Sequence, residues 1–429
     1  MATYSPYFSA RNHYKSLWLS TVLLIVLAVF GSGLDGVSVA GFDVFPFILY
    51  LIPHSILVFF LVNRHSEYLF DIPSPLVAVL LFALYAVGSS FLAIGASSVL
   101  KVMVIVVASI SVAAFAYWSV GDAWSLRRYV GILQLLALLG LAIAVIEITT
   151  STHLPVSKRF GMDAYYKSTA WYVNENDFSM FLAMVSFLFL ADTLIASSIS
   201  RRVFSIAAFF ASVIVIYVNN SRAALLAVAI IGGIVLILFW GRTKLSDRFP
   251  PNDRGRLITT TVFGVAFGVI ILVLLIGNPF ERQSSRSLWF RWQTFEASVA
   301  ILIETGGLGA GIGNFPTALE QSEVAPDFAA KAHNWFAALL GECGVLGTLL
   351  FLLAYGRTAD GLLYRFITHG DAISLGLLGG LLSFGIAGLG PSGPMSFQIQ
   401  WIIIGLGIAA AYRLPNAKSN SMTVKDTSP

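Results

Sequence analysis

Long apolar runs, each bounded by charged or turn-forming residues, recur along the 429-residue chain. Runs of roughly 17 to 22 apolar residues match the hydrocarbon thickness of a bilayer when helical, and about twelve can be marked out. They cover approximately 17–33, 43–62, 75–93, 99–118, 128–148, 177–196, 202–218, 223–240, 257–277, 335–356, 372–389 and 399–412. The predicted fold class is therefore all-α, a polytopic transmembrane helical bundle. Before the first run lies a polar stretch with Arg11 and Lys15. The apolar stretch from Leu17 to about Leu34 exceeds an ordinary signal-peptide core, so it reads as a retained spanning helix.

The polar residues between the runs set the expected orientation. Most of the 26 lysines and arginines fall on one side if the N-terminus is inside, including Arg127, Arg128, Arg201, Arg202, Arg242, Arg357, Arg365 and Arg413. Lys101, Lys158, Arg159, Lys167, Arg222, Arg282, Arg286, Arg291 and Lys331 fall on the other. The positive-inside tendency makes the first side cytoplasmic, with an even number of spans and both ends inside. The basic linker from Gly241 to Arg256, broken by Pro250-Pro251, reads as a topology determinant. This divides the chain into N-terminal spans over 1–256, a C-terminal region over 257–413 with one large external loop at 278–334, and a polar tail over 414–429. Composition agrees, since 57% hydrophobic residues, 11% charged residues and a mean hydropathy of +0.82 exclude a water-soluble domain. Cys343 is the only cysteine, which excludes disulfides within the chain.

Candidate chemistry collects in the external loop and the helix after it. Asn219-Asn220-Ser221-Arg222 is a short polar break between two apolar runs, placing an arginine at the outer membrane boundary, where it either snorkels or binds. Arg286-Ser287-Leu288-Trp289-Phe290-Arg291-Trp292 opens an apolar-periodic stretch, as in an amphipathic helix lying at the interface. Outer-side arginines run against the charge bias, and a diphosphate would answer them through their planar forks. The glycines from Gly306 to Gly313 allow tight turns but form no nucleotide-binding motif. His333 stands at the entrance of the next helix, where an imidazole can serve as a base or as an ordinary surface residue. Histidines are too scattered for a metal site, and there is no Asp-x-Asp pair. Glu342 stands out as a carboxylate inside an apolar run, with no evident donor for it. A transporter or flippase is the alternative reading, which the concentration of polar residues in one loop disfavours.

His333-Asn334, nine residues, then Gly344-Val345-Leu346-Gly347 resembles the closing motif of the O-antigen ligase and O-antigen polymerase superfamily of bacterial membrane glycosyltransferases. Asn219 to Ala224 resembles that family's Ser-Arg-Gly/Ala segment. Arg291 to Phe315 resembles its Arg-x-x-x-Trp and glycine-rich region, with Phe295 where tryptophan is usual and the glycine spacing shifted. Glu342 sits where the family commonly has an acidic residue. The resemblance covers Asn174 to about Leu353. It implies a C-type glycosyltransferase-like fold in the bacterial inner membrane. Its periplasmic site would take a glycan from a polyprenyl-diphosphate-linked oligosaccharide donor and pass it to another glycan or to lipid A core. Arg222 and Arg291 would hold the diphosphate, with Arg286 the other arginine in reach. His333 would face the acceptor, and Asn334 and Glu342 would line the substrate site. Neither a metal, a cofactor nor a nucleic-acid partner is expected.

Overall fold

The computed structural model describes residues 6–30, 37–39, 42–44, 46–64, 72–91, 109–162, 166–245, 284–321, 334–390 and 397–414. Among these, helix dominates. The elements are α1 (Pro6–Phe30), a two-stranded antiparallel hairpin of β1 (Val37–Val39) and β2 (Phe42–Val44), α2 (Pro46–Arg64), α3 (Ser74–Phe91) and a helical segment α4 over 109–119. They continue with α5 (Ala123–Thr150), α6 (Glu175–Ile195), α7 (Ile199–Val218), α8 (Arg222–Leu245), α9 (Ser284–Glu304) and α10 (Phe315–Gln321). The chain closes with α11 (Trp335–His369), α12 (Ala372–Ala387) and α13 (Gln398–Tyr412).

Five of the described helices, α5, α6, α7, α8 and α11, are long and apolar enough to cross a membrane. Shorter apolar helices lie at Leu17–Phe30, Ile48–Val58, Ser74–Ser89, Ala372–Ala387 and Gln398–Tyr412. The sequence-predicted runs thus reappear as helices, but several are shorter than a full span. The 16 residues of α12, for example, rise only about 24 Å. The predicted run at 257–277 lies outside the described residues, as does most of the one at 99–118.

Helix α6 is apolar all round and buried on nearly every face, as expected of a helix at the centre of a bundle. It packs against α5, α7, α8 and α12. Its contact with α12 is a close backbone approach: a Cβ on Gly376 would lie 2.9 Å from the Phe187 carbonyl oxygen, and one on Gly380 2.7 Å from that of Met184. Such small-residue faces are how helices gain van der Waals contact where lipid removes the hydrophobic drive to associate.

The two ends of the bundle differ chemically. At one end, arginines close helix C-termini by donating to free carbonyls. Arg242 Nε bonds Ile367 O at 3.0 Å, Arg365 Nη1 bonds Leu414 O at 2.9 Å, and Arg413 Nη1 bonds Trp118 O at 2.6 Å. A cation at a helix C-terminus satisfies orphan carbonyls and the helix dipole together. The opposite end carries the candidate site.

Candidate functional site

The α7–α8 break is built from within. Asn219 caps α7 and is 1% exposed. Its Oδ1 accepts from Ser168 N at 2.7 Å, while its Nδ2 donates to Ser168 O at 2.9 Å and Ser179 Oγ at 3.1 Å. Asn220 then takes a left-handed φ of 54°, a conformation asparagine tolerates well. Arg222 starts α8. The segment 166–170, which crosses this end of the bundle, is held from its other side by Glu147 of α5. That carboxylate is 1% exposed and accepts from Ser168 Oγ at 2.6 Å, Thr169 N at 2.9 Å and Ala170 N at 2.8 Å. His153 Nδ1 lies 3.4 Å from it. A buried polar chain therefore runs from Glu147 through Ser168 to Asn219, three residues before Arg222.

Helix α9 has the two faces its sequence foretells. Trp289 and Trp292 are exposed, whereas Thr294, Ala297, Ser298 and Ile301 are buried at i, i+3, i+4 and i+7 spacing. Arg291 falls on the buried stripe, one turn before Thr294, and is half-buried. Burial lowers its pKa, and the neighbouring charge of Arg222 lowers it further. Its Nε is buried without a hydrogen-bond partner. Two guanidinium groups from elements 69 positions apart (Arg222 and Arg291) are thus charge neighbours. Arg286 lies in the first turn of α9.

The glycine-rich turn docks on α11 by close backbone contact. Gly344 breaks that helix at φ 63° and ψ −166°, freeing carbonyls that a continuous helix would use. Ala310 N then donates to Gly341 O at 2.8 Å and Gly311 N to Glu342 O at 2.9 Å, while Val345 N donates to Gly307 O at 3.0 Å. The approach leaves no room for side chains, since a Cβ on Gly344 would collide with Gly307 O and one on Gly309 would lie 2.5 Å from Gly344 N. Tyr85 Oη donates to Leu308 O at 3.0 Å, and the Tyr85 ring packs on Gly347. The donors for Glu342 that sequence reasoning lacks are now evident: its carboxylate accepts from the backbone N–H groups of Gly313 and Phe315. Glu342 is the bolt of the turn.

Asn334 caps α11, its Oδ1 accepting from Phe336 N at 2.9 Å. Trp335 Nε1 donates to Gly385 O at 3.0 Å, and Gly390, just beyond α12, packs on Ala223. The start of α11 is thereby tied through the end of α12 to the start of α8. His333, the residue before Asn334, lies outside the described residues. Sequence reasoning also passes over Glu147, although a carboxylate inside an apolar run is itself a signal. It counts only Glu342 as such, whereas Glu147 and Asp192 both lie within spanning helices.

The fold and this end of the bundle define a helical membrane protein with two electrostatically coupled arginines and a glycine turn docked on α11. Residues 207–352 match the family model described as O-Antigen ligase, a stretch that begins within α7, ends within α11 and takes in Arg222, Arg291 and the glycine turn. The match bears out the similarity of this region to the O-antigen ligase and polymerase superfamily. No curated protein matches the chain.

Proposed function

We propose that the protein is a glycosyltransferase of surface polysaccharide synthesis, moving a glycan from a polyprenyl-diphosphate carrier to an acceptor at the periplasmic face of the inner membrane. The observation that carries this reading is Arg291, half-buried on α9 with its Nε buried and without a partner, and within the electrostatic reach of Arg222. Holding like charges together in a partly dry site costs free energy that a dianionic ligand returns. In the transfer, an acceptor hydroxyl oxygen attacks the anomeric carbon and its proton passes to the His333 imidazole. The bond to the diphosphate oxygen breaks, and the leaving diphosphate takes the electron pair. Preorganised guanidinium groups stabilise that developing charge, most strongly where water is excluded, and they do so without a metal. Glu342 and the glycine turn set the position of α9 against α11, and with it that of Arg291.

The test is transfer by the purified full chain, first with a polyprenyl-diphosphate oligosaccharide as sole substrate and then with lipid A core added. A ladder of longer lipid-linked chains marks a polymerase, and transfer only in the second tube marks a ligase. Absence of transfer in both overturns the reading, and activity lost to EDTA and restored by a divalent ion overturns its metal-free form. His333→Ala should lower transfer by roughly a hundredfold or more, as for a lost general base, while donor binding persists.

A further inference from the structure

Away from this site, α5, α6 and α7 leave a cavity of about 340 Å³, of the size that small ligands fill. Its apolar walls are Leu135, Leu138, Phe189 and Phe204, and Asp192 and Arg201 stand at its polar mouth. The mouth lies at the last turn of α6 and the first turn of α7, the end of the bundle where the arginines gather. From Gly131 to Leu138 the groove follows α5 for about 10 Å. Leu135 and Phe204 are 64% and 55% exposed, so the groove opens sideways toward lipid rather than into the bundle.

The charges at the mouth select the occupant. Arg201 Nε donates to Asp192 Oδ2 at 3.0 Å, its Nη2 donates to Oδ1, and Ser205 Oγ donates to Oδ2 at 2.9 Å. This pair is net neutral, with a guanidinium and a carboxylate side by side, the Arg201 side chain 61% exposed and the Asp192 side chain 12% exposed at the edge of the groove. An anionic headgroup would meet the carboxylate as well as the cation. A zwitterion with a phosphate and a primary ammonium answers both, phosphate on the guanidinium edge and ammonium on the carboxylate. We infer that this groove is a binding site for a zwitterionic phospholipid of the phosphatidylethanolamine class, one acyl chain lying along α5 and the headgroup on Asp192 and Arg201.

The experiment uses the full chain, delipidated in detergent, with dioleoyl phosphatidylethanolamine, phosphatidylglycerol or phosphatidylcholine added and thermal unfolding followed. The ethanolamine lipid should raise Tm by several degrees and the other two by clearly less, because neither carries an ammonium able to donate hydrogen bonds to Asp192. A Cβ at Gly131 meets nothing within 4 Å, so Gly131→Phe fills the groove without an internal clash. It should abolish the lipid-dependent rise while leaving Tm without lipid unchanged. Asp192→Asn should reverse the preference toward phosphatidylglycerol, a change of order that simple destabilisation does not produce. An equal or larger rise with phosphatidylglycerol or phosphatidylcholine in the unaltered protein overturns the inference, as does an undiminished ethanolamine-lipid rise in Gly131→Phe. Tighter retention of a lipid-linked diphosphate than of the ethanolamine lipid does so too.

Discussion

Arg291 is held where a cation is least at ease, half-buried beside a second guanidinium, and this has opposite consequences for stability and activity. A base whose pKa is lowered by folding is charged at a cost in the native state. That cost is present throughout the physiological range, because a guanidinium stays protonated there, and it would be relieved only as pH rose through the lowered value toward that of the unfolded chain. Arg291→Met should therefore leave Tm unchanged or raise it by about a degree or two, in the manner of other substitutions that relieve strain at a functional site, while removing transfer. A fall in Tm alongside the loss of transfer would mean that Arg291 is a structural residue. Arg222→Lys and Arg291→Lys keep the charge but lose the two-pronged fork. Each should lower transfer by roughly a hundredfold at normal protein level, the lower end of the range for removal of one electrostatic stabiliser. Full activity in both lysine variants would dismiss the diphosphate clamp.

At the scale of elements, the glycine turn and the broken helix α11 form one unit, and glycines in it are not equivalent. Gly306 has φ 61° but open space around its Cβ position, whereas Gly309 and Gly344 face backbone atoms within 2.6 Å. Gly306→Ala should cost about 1 kcal/mol of left-handed strain and spare activity. Gly309→Ala or Gly344→Ala should undock the turn, with a much larger loss of Tm and of transfer; similar Tm values for all three would refute the docking role. The segment 166–170 offers a parallel case. Asn219→Ala strands the Ser168 N–H and C=O in a buried site, at roughly 1–3 kcal/mol each, and should lower Tm sharply. The motif glycines and both arginines were legible in the sequence because chain-local patterns mark them: a polar break, an apolar-periodic stretch, a run of turns. Their partners were not. That Glu342 is met by Gly313 and Phe315, that Glu147 anchors Ser168, and that Tyr85 reaches Leu308 are all pairings across the sequence, which neither hydropathy nor spacing encodes. The helices were legible because apolar runs mark them, and α12 (Ala372–Ala387) ends within two residues of its predicted run; α11 continues past its predicted end at 356 to His369, because polar residues there do not stop a helix.

For the whole molecule, the two ends of the bundle use their arginines differently, and the proposed function depends on which end lies outside. Arg201, Arg242, Arg365 and Arg413 bind carboxylates or helix carbonyls at one end, while Arg291 lies within the electrostatic reach of Arg222 at the opposite end. If the positive-inside tendency holds for this chain, the first end is cytoplasmic, and the proposed function then requires Arg222 and Arg291 to lie outside, on the side of a lipid-linked glycan already flipped across the membrane. Cysteine labelling in intact cells tests this with little background, because the native Cys343 is buried. Glu320 and Ser200 are both exposed and lie at opposite ends of the bundle. Glu320→Cys should react with a membrane-impermeant maleimide in intact cells once the outer membrane is made permeable, and Ser200→Cys only after the inner membrane is opened. The reverse pattern would put Arg222 and Arg291 in the cytoplasm, on the side of nucleotide-sugar donors, and the transfer from a periplasmic polyprenyl diphosphate would fail with it.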